Sequence, residues 1–182
     1  MKSPDCRELP APPQPDSIAA NPEGTWSEPK AMPNLVLLAQ IATSCMLTGL
    51  IWTIQVVHYP LFASVGADRF VAYEASHARL ITFVVGPLML AEAATAIAFL
   101  VIRPPSIPMW IPVAGGILLA TVWLTTAFVS VPCHARLAEG FDADAHRRLV
   151  DTNWIRTIAW SARAAVLLWA GWLALHAAGA DG

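Results

Sequence analysis

The chain has 182 residues, 56% of them hydrophobic and only 13% charged. A soluble domain carries about 25% charged residues, so this composition points to a protein whose surface faces lipid. Lys and Arg number 11 against 13 Asp and Glu, for a net charge of -2, which excludes the basic footprint of a nucleic-acid binder. The three cysteines, Cys6, Cys45 and Cys133, lie too far apart for a zinc ribbon, a Cys-x-x-Cys redox motif or a disulfide framework.

Residues 1–34 read as a disordered, proline-rich tail. Eight of the 15 prolines fall there, from Pro4 to Pro33, with no apolar periodicity between them. Proline removes amide donors and fixes φ, so no helix is expected to run through the segment. Nor does it read as a signal peptide, because no apolar stretch follows Lys2.

Four apolar stretches follow, over about residues 35–57, 80–102, 110–131 and 155–178. Each is long enough to cross a hydrocarbon core of about 30 Å as a helix. Backbone groups in lipid must bond within their own segment, which excludes isolated strands. The expected fold is therefore all-α: a four-helix transmembrane bundle over residues 35–182, with both termini on one side. Arg103–Met109 is a short Pro-rich turn, whereas His58–Arg79 and Pro132–Trp154 are long connectors on the opposite face. Asp68 is expected to cap a helix running on into the second span. Asp142 is expected to cap a short helix ending near Val150, with Phe141, Leu149 and Val150 resting on the membrane surface. His146, Arg147 and Arg148 would then form its solvated face. Trp52, Tyr59, Tyr73 and Trp154 suggest one aromatic belt, Trp110 and Trp172 the other. Five arginines on the connector side favour cytoplasmic connectors and outward termini.

The two halves share a pattern, a His just past one span and an Arg opening the next: His58 with Arg79, then His134 with Arg156. A duplicated hairpin would produce this. Polar residues also gather at one membrane face. Gln55 and His58 close the first span, three residues apart and so expected on one side of the helix. Glu74 and His77 precede the second, His134 ends the third, and Asn153 and Arg156 open the fourth. By donor type, His58, Glu74, His77 and His134 suit a transition metal, or a single haem. Without a metal, the same groups suit a polar substrate pocket or interfacial anchoring. Gln55, Asn153 and Arg156 would orient a substrate or stabilise negative charge on it. Glu92 and Arg163 lie within the bilayer and are expected to pair. The run Ala91–Ala98 permits close helix contact, within one chain or between chains.

The segments Ile51–Pro60 and Thr152–Arg163 resemble a family of small, uncharacterised bacterial four-helix integral membrane proteins, over about residues 35–175. More distantly, the run Val131–Leu137 and the Trp- and Arg-bearing fourth span are similar to anthrone-oxygenase-like membrane proteins. That resemblance aligns His134, Trp160 and Arg163 with the family's polar, Trp and Arg positions. Where a further His is expected on the fourth span, this chain has Ser161 and Ala162. These features together suggest a membrane oxidoreductase acting on an apolar or quinone-like molecule drawn from the bilayer. The rival reading is a non-catalytic subunit or small transporter whose polar face binds a partner or solute.

Overall fold

The computed structural model describes residues 31–180, so residues 1–30 of the tail expected over 1–34 lie outside the described residues, whereas residues 31–34 form the first turn of a helix, where Pro33 is tolerated because the first amides need no intrahelical partner. The described chain is all-helical: α1 (Ala31–Ser64), α2 (Ala67–Val101), α3 (Trp110–Leu137) and α4 (Ala143–Ala180). All four are long and apolar enough to cross a membrane, which makes this a multi-pass integral membrane protein. Helix α1 packs on α2 and α4, α3 packs on α4, and of the neighbouring pairs α2 and α3 meet least. The result is an up-and-down bundle with one loose seam.

Lipid contact explains the outer surface. Phe83, Val101, Phe128 and Leu175 are among the most exposed side chains, and all are apolar. Burying them would gain nothing where the solvent is itself hydrocarbon. The interior holds two apolar clusters, one around Phe62, Phe70, Leu137 and Leu149 and one around Phe99, Ile111 and Leu167. At the two interfaces Trp52 meets Trp154 edge-on at 5.6 Å, and Trp110 meets Trp169 at 5.2 Å.

The long connectors are mostly helix. Helices α2 and α4 have 35 and 38 residues, about 52 and 57 Å at 1.5 Å per residue, well beyond the hydrocarbon thickness. Their first turns therefore stand out of the apolar layer at the connector face. Three local expectations change here. Gly66, not Asp68, takes the N-cap of α2; Asp68 lies in the first turn, where its charge still favours the helix N-terminus. The helix after Asp142 does not stop near Val150 but continues as the fourth span. Leu149 is fully buried and His146 half-buried, because this segment packs back onto α1 instead of lying on lipid.

Helices α1 and α3 each contain a π turn, Ile54–His58 and Thr126–Ser130. In each, a proline stands two residues beyond the turn, Pro60 and Pro132. A proline ring has no N–H and collides with the carbonyl four residues back. The wider π turn relieves both problems: Tyr59 N–H bonds the Ile54 carbonyl and Val131 N–H bonds the Thr126 carbonyl. The two halves of the bundle thus carry the same device at matching places.

Two outcomes follow from this fold. In a cysteine-free background, single cysteines at Ser64 and Asp144 should react with a membrane-impermeant reagent from one side, and one at Ser106 from the other. Labelling of Ser64 and Asp144 from opposite sides would refute the four-span topology. Asp142 Oδ1 accepts from the Ala145 and Asp144 amides, each at 2.9 Å. Those bonds, the Ala145 one first, together with the Arg136 guanidinium, hold its carboxyl below the usual carboxylate range. The stabilisation is present above the unfolded pKa of about 4 and is lost as pH falls through the lowered folded value. Asp142→Ala should expose the Asp144 and Ala145 amides to hydrogen exchange at neutral pH, while Asp142→Asn retains protection.

Candidate functional site

At the connector face the polar residues of all four helices meet. Glu74 and His77, three apart on α2, share its inner side. Glu74 reaches α3, where His134 Nδ1 lies 2.6 Å from its Oε1. His77 reaches α1, its Nδ1 2.8 Å from His58 Nε2. Gln55 and His58 do not share a face, contrary to the helical spacing. The π turn that contains both rotates His58 toward α2 and leaves Gln55 toward α4, where it bonds Asn153 at 2.7 Å and the Val150 carbonyl at 3.3 Å. Phe62, fully buried, packs edge-on against the His58 and His77 rings at 5.2 and 5.1 Å and keeps them upright.

Tyr59 links these groups and does not join the aromatic belt expected at this interface. It is 4% exposed and points inward. Its hydroxyl lies 3.1 Å from His134 Nε2 and 3.2 Å from Arg156 Nη2. With His134 neutral and Glu74 ionised, the polarity of this chain follows from what each group can do. Arg156 can only donate, so Tyr59 accepts from it and spends its single hydrogen on His134 Nε2. His134 then carries its own hydrogen on Nδ1 and donates it to the Glu74 carboxylate. Arg156 also donates to Asn153 Oδ1 and, at 3.4 Å, to Thr126 Oγ1. The order is guanidinium, phenol, imidazole, carboxylate. Such a chain can move a proton along itself without moving a heavy atom far.

This arrangement bears on the metal or haem expected at His58, Glu74, His77 and His134. The structure gathers the four residues, and most of their ligating atoms are engaged with one another or with Tyr59, Glu74 Oε2 and His77 Nε2 being the buried ones left without a partner. Both nitrogens of His134 are bonded, and His58 faces His77. Among the described residues no group of three or more His, Cys, Asp or Glu side chains is set to hold a metal ion. Cys133 beside them is a buried free thiol.

Below this layer lies a cavity of about 280 Å³. Its walls are apolar, among them Leu47, Ile51, Val85 and Met89, and its polar end is formed by Tyr59, His134, Arg156 and Ser130. The lining comes from both sides of the loose α2–α3 seam. Buried Ser130 Oγ and Arg156 Nε have no hydrogen-bond partner. An unsatisfied buried polar group costs about 1–3 kcal/mol, and both of these atoms belong to residues that line the cavity.

Deeper still, a second polar knot ties the bundle together. Arg163 Nε donates to Glu92 Oε1 at 2.9 Å, and Trp160 Nε1 donates to Glu92 Oε2 at 3.0 Å. The remaining Arg163 nitrogens reach the Gly115 carbonyl and Gln40 Oε1. Gln40 Nε2 in turn donates to the Glu92 carbonyl at 3.0 Å and to Thr95 Oγ1 at 2.5 Å. Every helix contributes. Gly115 is required by close approach, since a Cβ there would stand 2.9 Å from Arg163 Nη1. Gln40 was legible as a lone amide in an apolar span; nothing in the pattern marked Gly115.

Comparison with family models, with curated proteins and with solved structures gives no match.

The knot yields a quantitative expectation. Glu92→Gln leaves a buried guanidinium without its counter-charge and should destabilise the bundle by about 3 kcal/mol, read by unfolding in detergent micelles. Adding Arg163→Met should recover part of the loss. Strictly additive effects would show that the two residues act independently.

Proposed function

We propose that this protein takes a lipid-soluble, oxygen-bearing molecule of quinone-like class from the bilayer and exchanges a proton with it. The observation that carries this reading is the end of the cavity. There the unpartnered Ser130 Oγ and Arg156 Nε stand beside the Tyr59–His134–Glu74 chain. A ring fits among Leu47, Ile51 and Met89, where its apolar area leaves water or lipid for packed side chains. A carbonyl or phenolic oxygen at the polar end accepts from Ser130 and Arg156. Arg156 stabilises negative charge on that oxygen in a site of low dielectric. Tyr59 is the group placed to give a proton to it or take one from it. His134 receives the phenolic proton on Nε2, and Glu74 stabilises the imidazolium that forms. Quinone reduction consumes protons as well as electrons, and these residues serve its proton half.

In this reading Arg156 keeps the substrate-facing role expected of it. Gln55 and Asn153 become positioning residues that hold the guanidinium through Asn153 Oδ1. The resemblance to anthrone-oxygenase-like proteins agrees in substrate chemistry, a ring bearing an oxygen. Of its matched residues His134 and Trp160 line the cavity, while Arg163 belongs to the knot. The arginine distribution adds the proposal that the connector face is cytoplasmic.

Trp160 lines the cavity and reports on it. A short-chain benzoquinone should quench Trp160 fluorescence saturably in purified protein, with Trp160→Phe identifying the signal. Arg156→Met and Ser130→Ala should each weaken binding, the former by about tenfold or more, since a charge-assisted hydrogen bond contributes about 1.5–3 kcal/mol. Binding of the matching hydroquinone should release a proton in wild type and not in Tyr59→Phe. Quenching that never saturates, or equal affinity in all variants, would refute the reading and favour a non-catalytic subunit.

A further inference from the structure

The wall of the cavity is uneven. Its roof is made by buried Tyr59, Ser130 and Arg156, and its floor by buried Met89 and Trp160. The two lining residues that are also exposed are Thr82 on α2 and Val131 on α3. They stand on either side of the seam where neighbouring helices touch least. Around them the outer surface is apolar, with Phe83 and Val84 exposed on α2 and Leu124 and Phe128 on α3. Gly86 also lines the cavity, one turn beyond Thr82 on the same side of α2. It lies about 22 Å from the end of α2 at Val101, at 1.5 Å per residue, and so within a hydrocarbon layer of about 30 Å.

Nothing local requires a glycine at this position. Its φ is not positive. A Cβ there would meet nothing closer than Thr82 Cγ2 at 4.0 Å, an ordinary contact, whereas at Gly115 and Gly171 it would meet Arg163 and Ile41 at 2.9 and 3.0 Å. Pro87 does not demand it either, since Tyr59 and Val131 each precede a proline in helical backbone. Glycine is a poor residue for a helix interior, so leucine or alanine would serve α2 better. What the missing side chain leaves is open space in the cavity wall at the seam.

We propose that the cavity opens sideways into the bilayer between α2 and α3, that Gly86 keeps this opening clear, and that the ligand is a ring carrying a long apolar chain, with the ring inside and the chain leaving through the seam into lipid. The ligand's identity rests on the function proposed above, while the opening stands on geometry alone. A cavity of about 280 Å³ is at the small end for a ligand site, so it takes a ring with no long chain beside it. A chain that stays in hydrocarbon changes its surroundings little on binding, because lipid tails are as apolar as the side chains it would meet. It therefore needs a gap in the wall and no room within.

The test uses the full chain in nanodiscs, with Trp160 emission taken as the difference between each protein and its Trp160→Phe counterpart. Lipids brominated along their acyl chains quench a tryptophan that they touch. They should quench Trp160 in wild type and in Gly49→Leu, which places the same bulk at an exposed position of α1 outside the cavity. In Gly86→Leu, and in Val131→Phe, which narrows the mouth from α3, that quenching should be largely lost. Quenching absent from wild type, or equal in wild type and Gly86→Leu, overturns the opening. Thermal unfolding of Gly86→Leu should come no earlier than that of wild type; a variant that fails to fold contradicts the free space at Gly86. Two benzoquinones, one with a decyl chain and one with methyl groups alone, are then titrated against Trp160. Gly86→Leu should weaken the decyl compound at least about tenfold more than the methyl one, as expected when a few methylenes obstruct an apolar site. Comparing the two proteins cancels the unequal partition of the compounds into lipid. Equal weakening removes the chain from the ligand. If neither compound quenches saturably in wild type, the proposed function falls and the chained ligand with it, while the brominated-lipid result still upholds or removes the opening.

Discussion

A charge inside hydrocarbon must find its partners within the protein, and the Glu92–Arg163 pair imposes that condition on the whole bundle. A guanidinium has five N–H donors in a fixed plane. Here each of the three nitrogens is answered from its own direction: Nε by the Glu92 carboxylate on α2, Nη2 by the Gln40 amide oxygen on α1 and Nη1 by the Gly115 carbonyl on α3. The second carboxylate oxygen is satisfied by Trp160. Neither residue can stay charged at this depth unless all four helices are in register. Buried ion pairs are weak sources of stability compared with apolar packing of the same volume. In lipid, however, apolar packing discriminates poorly between helix arrangements. The knot supplies that discrimination, and the cavity floor at Trp160 and Met89 inherits its position from it.

The upper half of the bundle is shaped by two prolines. Pro60 and Pro132 each follow a π turn within a span, and the groups that build the polar end cluster around those turns. Gln55 and His58 lie within the first, and Tyr59 follows it directly. Thr126 and Ser130 bound the second. A regular helix would send Gln55 and His58 to the same neighbour. The added residue in the turn separates them, giving Gln55 to the Arg156 support and His58 to His77. The same irregularity turns Tyr59 from the lipid belt into the interior. Function and fold are coupled here through backbone geometry that accommodates a proline.

The polar chemistry is graded with depth. Nearest the connector face are His58, His77 and the Glu74–His134–Tyr59 chain, then the apolar cavity, and below it the sealed knot. Polar groups near the connector face are within reach of water, and two of them, Glu74 Oε2 and His77 Nε2, remain unpartnered by protein. The knot carries a charged pair whose hydrogen bonds are made inside the protein, which suits a structural role.

Composition and hydropathy by themselves determined the membrane class, the four spans and their alternating direction, because transfer of 20 apolar residues into lipid outweighs local preference. They also marked Glu92 and Arg163 as interior groups and gathered His58, His77, His134, Asn153 and Arg156 at one face, since chain direction alone puts those helix ends level. Only the tertiary structure decided which side chains meet. Helical spacing joined Gln55 to His58 until the π turn parted them, and an aromatic at an interface read as a belt residue until Tyr59 proved to face inward. Ser130 and Gly115 are small and unremarkable in sequence. Their importance comes from what stands opposite them, a cavity in one case and a guanidinium in the other. Partners across a bundle are set by helix rotation, and in this chain rotation is set by two prolines and one buried ion pair, whose joint effect no single-span periodicity contains.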